Sequence, residues 1–330
     1  MRSTLVGVDN FKRAETDRYF ASTIKQAGGP GRFHHYRELM PIAAQTVVRS
    51  NRDTLYSAAV FDLDAGPVTI TMPDPGKRFM SLMLIDEDQY VPKVIYEAGP
   101  HTFERDTIGT RYVMAGVRTL VDPTKPGDLA QVHALQNAIH VDQKSSGRFE
   151  VPAWDPATLN RVREALMILG SSVPDSKRMF GPRGEVDPVR HLIGTAIGWG
   201  GNPEKDATYL IVTPRENDGK TVHELVVGDV PVDAFWSISV YDAKGYFRQN
   251  PQDAYTVNAY TAVRGVDGAI TVRFGGYDGK TPNCLPITAG WNYLVRLYRP
   301  RAEILSGAWT FPEARPVARG RAVSLFTARH

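Results

Sequence analysis

The stretch that decides the fold begins with TLYSAAVFDL (54–63) and continues through PVTITM (67–72), FMSLMLID (79–86) and RYVMAGVRTLV (111–121). These runs are rich in β-branched and aromatic residues, and turn-forming residues separate them at 64–67, 73–77 and 99–101. Short runs of this composition, bounded by Gly, Pro and Asp, are typical of β-strands at hairpin spacing. Together with TVVR (46–49), they predict a meander of short antiparallel strands from 46 to 121.

Helical periodicity lies on both sides of this β pattern. Residues 9–27 have apolar residues at helical spacing and end at Gly28, which predicts a helix before the first strand. Between 123 and 205, Asp155-Pro156 and Asp187-Pro188 mark two helix starts, because aspartate caps a first turn and proline suits the first helical position. The segment 123–205 is therefore predicted to be mostly helical.

A second β pattern begins at residue 207. Its runs are TYLIVT (208–213), HELVV (223–227), FWSISVY (235–241), ITVRF (270–274) and WNYLVRLY (291–298). Strands at this spacing are typical of a sandwich or a barrel, and strands that do not alternate with helices argue against a parallel sheet. The sequence predicts an α+β fold in which a helical segment bridges two antiparallel, jelly-roll-like or sandwich-like β units.

This pattern divides the chain into four expected parts. They are an N-terminal helix plus β unit at 1–122, a helical segment at 123–205, a C-terminal jelly-roll-like unit at 206–317 and a basic tail at 318–330. The net charge is +3, and residues 313–330 account for it with four arginines against one acid. A nucleic-acid-binding protein carries its positive charge on the folded body, so no nucleic-acid partner is expected. The tail is expected to be dispensable for folding.

Composition excludes several further classes of protein. The 330 residues are 42% hydrophobic and 23% charged, as in an ordinary globular chain. A single cysteine, Cys284, excludes a disulfide framework and a multi-thiolate metal site, and no apolar run is long enough to span a membrane. The N-terminal MRSTLVGVDNFKRAE (1–15) reaches charged residues before it builds a signal-peptide apolar stretch. We therefore expect a cytoplasmic protein with no metal and no cofactor.

A family resemblance rests on six blocks of the chain. They are VDNFKRAETDRYFA (8–21), QTVVRSNRDTLYSAAVFDLDAGPV (45–68), GTRYVMAGVRTLVDP (109–123), DPVRHLIGTAIGWGGNPEKDATY (187–209), VPVDAFWSISVYDAKGYF (230–247) and NCLPITAGWNYLVRLYRPRAEILSGAW (283–309). These blocks resemble the two-part bacterial family in which domain of unknown function 1254 is joined to domain of unknown function 1214. The resemblance implies an all-β N-terminal part, a helical part and a jelly-roll-like C-terminal part packed as one body. Relatives are often labelled as envelope or exported proteins, and some as carboxylesterases.

The strongest candidate site is the block NRDTLY (51–56) at the start of a predicted strand. The planar guanidinium of Arg52 can bind a carboxylate or a phosphate, Asp53 can act as a base, and Tyr56 can act as an acid. Side chains alternate along a strand, so Tyr56 can point into a cavity. The alternative is that Arg52 and Asp53 form an ion pair and a turn cap that hold the strand in place.

Three further residues are candidates outside this block. His35 faces away from its neighbour His34 on an extended chain and can serve as a general base, unless it is simply exposed or hydrogen-bonded. Trp199 follows a predicted helix in a glycine-rich stretch and can form a cavity wall or mark the end of the helix. Arg296 interrupts an apolar strand and requires a partner such as Asp242 or a ligand carboxylate.

Two functions of different class follow from these residues. The favoured one is a cofactor-independent acid–base enzyme, hydrolase-like or lyase-like, that acts on a small anionic or hydroxylated molecule. In this enzyme Tyr56 is the acid and Asp53 or His35 is the base. The ligand-binding residues are Arg52, Asn51, Trp199 and Arg296. The enzyme is favoured because the polar residues of NRDTLY differ in kind and can divide roles, although no Gly-x-Ser-x-Gly elbow occurs.

The alternative is a non-catalytic protein whose jelly-roll-like half binds a carbohydrate or another small, envelope-related ligand. In both cases the expected partner is a small molecule, and the sequence leaves a homodimer open. Cys284 lies beside apolar residues without a neighbouring cation, so we expect an unreactive thiol.

Overall fold

The computed structural model describes residues 3–45 and 48–317. The elements of the N-terminal part are α1 (Phe11–Ala27), β1 (His34–His35), β2 (Thr54–Asp62), β3 (Val68–Met72), β4 (Met80–Asp86), β5 (Lys93–Ile95), β6 (Gly99–Phe103), α2 (Arg105–Ile108) and β7 (Tyr112–Leu120). The middle of the chain forms α3 (Asp128–Asn137), β8 (His140–Gln143), α4 (Pro156–Gly170) and α5 (Pro188–Gly198). The C-terminal part forms β9 (Ala207–Val212), β10 (His223–Val227), β11 (Trp236–Tyr241), β12 (Thr256–Asn258), β13 (Ile270–Phe274), β14 (Cys284–Leu285), β15 (Asn292–Tyr298), α6 (Ala302–Leu305) and β16 (Arg315–Pro316).

The N-terminal unit is a sandwich of a five-stranded sheet, in the order β1-β2-β7-β4-β5, and a three-stranded sheet, in the order β6-β3-β8. Apolar side chains from both sheets, including Phe61, Ile70, Leu82 and Val117, form the core between them. The predicted meander is wrong in its pairing, because β2 pairs with β7 and the intervening β3 and β6 belong to the second sheet. A two-residue alternation identifies a strand and its buried face but not its neighbour.

The segment predicted to be helical contains three of the helices and also contributes β8 to the three-stranded sheet. Asp155 and Asp187 cap α4 and α5 as predicted. Asp155 accepts a hydrogen bond from one backbone N–H group of the first turn, and Asp187 accepts from two. Helix α1 packs on α4 and α5 with one side, and its Phe20 packs on Met83 and Met114 of the five-stranded sheet. This helix therefore covers one end of the sheet face that points away from the sandwich core.

The C-terminal unit is a second sandwich of two four-stranded sheets, in the orders β14-β13-β10-β16 and β12-β11-β15-β9. Its core contains Trp236, Phe274, Trp291 and Val295. Described strand pairs are antiparallel apart from the two-residue β13–β14 pair. The prediction of an α+β fold with two antiparallel, sandwich-like units is therefore confirmed.

The two units meet through the faces that their own cores leave free. Phe79 and Leu120 of the N-terminal unit pack with Phe235 and Tyr298 of the C-terminal unit. Because side chains alternate along β11 and β15, the residues between the core positions of these strands point toward the N-terminal unit. This interface contains the candidate site.

Two predicted segments, TVVR (46–49) and the basic tail (318–330), lie partly or wholly outside the described residues. Thr46 and Val47 of the predicted TVVR strand lie outside the described residues, and Val48 and Arg49 lie in a turn. The basic tail at 318–330 also lies outside them, so its dispensability stays a prediction. Across the described chain, every helix is too short or too polar to cross a membrane.

The docking of α1 predicts a pH dependence of stability. Asp17 of α1 is buried and accepts a hydrogen bond from Trp154 Nε1 at 2.8 Å, while its Oδ1 has no partner among the described residues. Burial raises the pKa of Asp17 from 3.8 to about 6. The folded protein therefore binds this proton more tightly than the unfolded chain does, and stability falls as the pH rises from about 4 to above 6.

We expect Asp17→Asn, which removes the charge and keeps an oxygen for Trp154, to stabilise the protein at pH 8 by up to about 3 kcal/mol. The same substitution should change stability by less than about 1 kcal/mol at pH 4, where the carboxyl group is protonated in the folded protein and partly protonated in the unfolded chain. Urea unfolding at the two pH values measures the difference, with Glu164→Gln on the exposed side of α4 as the matched control. Equal pH dependence in the wild type and Asp17→Asn would contradict this assignment.

Candidate functional site

A polar layer lies between the five-stranded sheet and the β12-β11-β15-β9 sheet. On the first sheet, Tyr56 of β2 lies directly opposite Arg118 of β7. On the second sheet, Tyr209 of β9 lies directly opposite Arg296 of β15. Side chains directly opposite on an antiparallel pair share one sheet face, so each sheet contributes one tyrosine–arginine pair to the layer.

Asn51 connects the two sheets on one side of this layer. Its Nδ2 lies 3.1 Å from the Tyr56 hydroxyl oxygen and 3.2 Å from the Tyr298 hydroxyl oxygen. Its Oδ1 accepts a hydrogen bond from the backbone N–H of Asp53 at 2.9 Å. The local turn at 51–53 thus orients the amide, and the amide brings two tyrosine hydroxyls close together.

Asn202 makes the second connection. Its Oδ1 accepts a hydrogen bond from Arg118 at 3.3 Å, and its Nδ2 donates one to the Tyr209 hydroxyl at 2.9 Å. Arg118 also donates to the Gly200 carbonyl oxygen at 3.1 Å. We call the resulting group the inter-sheet site; its members are Asn51, Tyr56, Arg118, Asn202, Tyr209 and Tyr298.

The inter-sheet site combines partial exposure of four residues with a positive charge that has no carboxylate partner among the described residues. Asn51, Tyr56, Arg118 and Tyr209 are half-buried, whereas Tyr298 is buried. Within the described residues no carboxylate lies within 4.0 Å of the Arg118 guanidinium. A guanidinium in this state can pair with an anion that enters from solvent.

The two bridged tyrosines differ in acidity. Burial alone would raise the pKa of Tyr56, but the positive charge of Arg118 and the hydrogen bond from Asn51 outweigh it and hold the pKa below the usual 10. Burial, together with the neighbouring Tyr209, raises the pKa of Tyr298 well above 10. Because the two pKa values shift in opposite directions, Tyr56 can release its proton more easily than Tyr298 can.

Asp53 lies beside this site, but each of its carboxylate oxygens already accepts a hydrogen bond from another residue. It is 1% exposed, and its carboxylate accepts hydrogen bonds from Ser237 Oγ at 2.6 Å and Asn258 Nδ2 at 3.1 Å. Burial raises its pKa, and the charge of Arg296 opposes the shift. Asp53 therefore anchors the turn that orients Asn51, and its oxygens are not directed at Tyr56.

Arg52 points to a different place from Tyr56. Its guanidinium donates to the Met40 carbonyl oxygen, lies 5.1 Å from the centre of the Tyr255 ring and lines a surface cleft. The Arg52–Asp53 ion pair weighed as an alternative does not form, because the described chain places no carboxylate within 4.0 Å of Arg52. Arg52 and Asp53 both line this cleft.

His35 and Trp199 are not brought to Tyr56. The Nδ1 atom of His35 lies 2.8 Å from Ser57 Oγ, and Ser57 alternates with Tyr56, so the two groups are on opposite faces of the sheet. Burial, with smaller contributions from Arg37 and His34, also lowers the pKa of His35 to about 4. Trp199 stacks on Tyr19 of α1, with the ring centroids 4.2 Å apart, and so packs against this helix.

Arg296 has a structural set of partners in place of the predicted Asp242. It is 3% exposed and donates to Ser239 Oγ at 2.9 Å, to the Tyr241 hydroxyl at 2.8 Å and to the carbonyl oxygens of Arg49 and Ser50. Asp242 instead accepts hydrogen bonds within its own turn. Arg296 therefore holds the segment before Asn51 against the C-terminal sheet.

The sequence reasoning missed four members of the inter-sheet site: Arg118, Asn202, Tyr209 and Tyr298. A signal for Arg118 was present, because it is a lone arginine in the apolar part of RYVMAGVRTLV (111–121). The same pattern in WNYLVRLY (291–298) drew attention to Arg296. Asn202 and Tyr209 carry no comparable local signal, since only the packing of the two units brings them to Arg118.

The role of Asp53 as an anchor predicts a large loss of stability on its removal. We expect Asp53→Ala to lower the free energy of unfolding by about 3–5 kcal/mol, because Ser237 and Asn258 lose their acceptor and buried Arg296 loses an opposing charge. Denaturant unfolding measures this change. Asp229→Ala, at an exposed carboxylate, is the control and should change stability by less than about 0.5 kcal/mol. A similar small loss for Asp53→Ala would show that the turn is held by other contacts.

The opposite shifts of the two tyrosines predict an early-ionising hydroxyl. As the pH rises, tyrosinate absorbance of the wild type should include one group that ionises before an ordinary tyrosine. Tyr56→Phe should remove this group, and Arg118→Gln should move it to higher pH because the favourable charge is lost. Tyr277→Phe, at an exposed tyrosine, is the control and should keep the early ionisation. An unchanged titration in Tyr56→Phe would refute the assignment.

Two family models match parts of the chain. The chain matches "Protein of unknown function (DUF1254)" over residues 30–102 and DUF1214, also described as a protein of unknown function, over residues 213–302. Among curated proteins, none matches the chain.

Two solved structures match the chain. The crystal structure of the VPA0106 protein from Vibrio parahaemolyticus has a TM-score of 0.72 and 17% identity, covering 94% of this chain and 98% of that one. An uncharacterized protein from Burkholderia cenocepacia has a TM-score of 0.49 and 11% identity, covering 88% of this chain and 85% of that one. The first likeness supports the sandwich-like α+β arrangement. The chain thus has the two-part architecture expected from its sequence, with a DUF1254 segment at 30–102 and a DUF1214 segment at 213–302.

Proposed function

We propose that this protein is a cofactor-independent acid–base enzyme of hydrolase or lyase type, acting on a small anionic or hydroxylated molecule in the inter-sheet site. Tyr56 transfers the proton, and Arg118 binds the anionic group in the role that the sequence suggested for Arg52. The observation that carries the proposal is half-buried Arg118, which lies opposite Tyr56 and whose guanidinium has no carboxylate partner among the described residues.

The surroundings of Arg118 support an anionic ligand. Its neighbours are uncharged: the Asn202 amide, the Gly200 carbonyl group, the Met83 sulfur at 3.7 Å and the Tyr56 ring, whose centre is 5.5 Å from the guanidinium carbon. A partly desolvated charge without a counter-ion is costly for a fold, and a bound anion offsets that cost. Strongly perturbed titratable groups also cluster at catalytic sites more often than elsewhere.

Each side chain of the site has a defined chemical role in this proposal. As a phenolate, Tyr56 accepts a proton from a substrate hydroxyl group or from a carbon next to a carboxylate, and later returns it. The Asn51 amide donates to the Tyr56 oxygen and so stabilises the phenolate. Tyr298 stays protonated and can donate a hydrogen bond to a developing negative charge on the substrate.

The proposal includes the cytoplasmic location and the small-molecule partner that the sequence predicts. Asp53 is a positioning residue in this scheme, since it acts on Tyr56 only through the turn that orients Asn51. His35 has no role in the scheme because it faces the opposite side of the sheet.

A ligand screen with two site variants tests the proposal. Lactate, gluconate and inorganic phosphate serve as probes in thermal-shift and calorimetric binding measurements, and NMR spectroscopy follows conversion of any probe that binds. At least one probe should bind the wild type, and Arg118→Gln should weaken it at least ten-fold, about 1.4 kcal/mol. Tyr56→Phe should keep binding within a few-fold and lower turnover of a converted probe by about 10²–10⁴-fold.

Arg264→Gln is the matched control, because Arg264 is an exposed arginine that, like Arg118, donates to a backbone carbonyl oxygen. Equal affinity in the wild type and Arg118→Gln would remove the inter-sheet site from the proposal. Binding that depends on Arg118 without conversion of any probe would favour the non-catalytic binding protein. If none of the three probes binds, the proposed ligand class is contradicted.

A further inference from the structure

A second feature, separate from the inter-sheet site, is a pair of adjoining clefts around Arg52. The first has a volume of about 360 Å³ and lies between Leu39, Arg52 and Asp53, residues 121–124, and residues 252–285 of the C-terminal unit. The second has a volume of about 450 Å³ and extends toward α3. Both are lined by Leu39, Arg52, Val121 and Pro123, so Arg52 lies on the wall that they share. Volumes of this size are typical of small-molecule sites.

Arg52 is a partly desolvated cation in these clefts. It is half-buried, and its contacts are the Met40 carbonyl oxygen and the face of the Tyr255 ring at 5.1 Å. Burial lowers its pKa, and the exposed Asp253 opposes this shift from beyond ion-pair distance. The hydrogen-bonding capacity of the guanidinium exceeds these contacts, because a guanidinium has five N–H donors.

The walls on either side of Arg52 combine apolar residues with polar ones, among them Asp53 and Asp253 in the first cleft and Glu38, Asp122 and Lys125 in the second. Val121 and Leu285 are each 1% exposed and present apolar surface to the first cleft. Leu39 is half-buried on the wall common to both, and Leu129 lines the second. A cation flanked by apolar surface matches a ligand with one anionic group and one apolar body.

We propose that these clefts bind an amphipathic carboxylate. Its carboxylate pairs with the Arg52 guanidinium, and its apolar body lies against Leu39, Val121 and Leu285. The ligand contacts both β units, since Val121 follows the N-terminal sheet and Leu285 belongs to the C-terminal one. This inference does not rest on the proposed enzyme activity, because none of the six residues of the inter-sheet site lines either cleft.

Calorimetric titration of the full chain with three probes tests the match between ligand and clefts. Octanoate carries both the charge and the apolar body, acetate carries only the charge, and 1-octanol carries only the apolar body. We expect octanoate to bind with one-to-one stoichiometry and at least ten-fold more tightly than either of the others. Equal affinity for acetate would refute the apolar contact, equal affinity for 1-octanol would refute the ion pair, and no binding of octanoate would refute the whole proposal.

Variants then locate the ion pair. Arg52→Gln should reduce octanoate affinity to that of 1-octanol, whereas Arg52→Lys, which keeps the charge and loses the planar fork, should give an intermediate affinity. Leu39→Ser should lower the affinity for octanoate and leave the affinity for acetate unchanged. Arg264→Gln is the control that should bind octanoate as the wild type does. Unchanged octanoate affinity in Arg52→Gln, or a loss in Arg264→Gln equal to that in Arg52→Gln, would overturn the assignment.

The single cysteine supplies an independent measurement of position. Cys284 lines the first cleft and is 6% exposed. The reaction of this buried thiol with a small thiol reagent should be slow, and octanoate should slow it further in a saturable way in the wild type but not in Arg52→Gln. Slowing of equal size in both proteins would place octanoate elsewhere.

Discussion

The burial of Asp53 against the C-terminal sheet is the constraint on which the rest of the site depends. Its two carboxylate oxygens accept hydrogen bonds from Ser237 and Asn258, and Arg296 reaches back to the carbonyl oxygens of residues 49 and 50. A buried carboxylate is stable only if its oxygens accept hydrogen bonds, so the turn at 51–53 must place Asp53 against Ser237 and Asn258. This placement orients the Asn51 amide, and the amide in turn holds the Tyr56 and Tyr298 hydroxyl groups close together.

The interface between the units differs from their cores in chemistry. Each sandwich buries its apolar residues between its own sheets, and the outward face of β11 and β15 carries Ser237, Ser239 and Arg296 toward the N-terminal unit. Apolar packing tolerates sliding, whereas hydrogen bonds have narrow distance and angle limits. The polar layer therefore defines the register of one unit on the other, and Phe79 with Tyr298 adds apolar contact at its edge.

Two arginines without carboxylate partners among the described residues have different surroundings. Arg118 lies among hydroxyl and amide groups between the sheets, which suits a small polar anion next to a proton-transferring tyrosine. Arg52 lies at a surface cleft with Leu39, Val121 and Leu285 on its walls beside polar residues, and the apolar side chains suit an anion with an apolar body. The same functional group thus supports two different ligand classes, because the neighbouring side chains decide what accompanies the charge.

The sequence by itself determined the longer strands, the two aspartate-capped helices and the fold class, because two-residue and helical periodicities and turn residues act locally. It also identified NRDTLY (51–56), whose polar residues stand at the start of an otherwise apolar strand. Only the tertiary structure decided that β2 pairs with β7, that Arg52 and Tyr56 point to separate places and that His35 faces the opposite side of the sheet. The inter-sheet site joins Tyr56, Arg118 and Tyr298 from positions far apart in the chain. Such a site depends on which sheet faces meet, and this depends on long-range packing that no local pattern encodes.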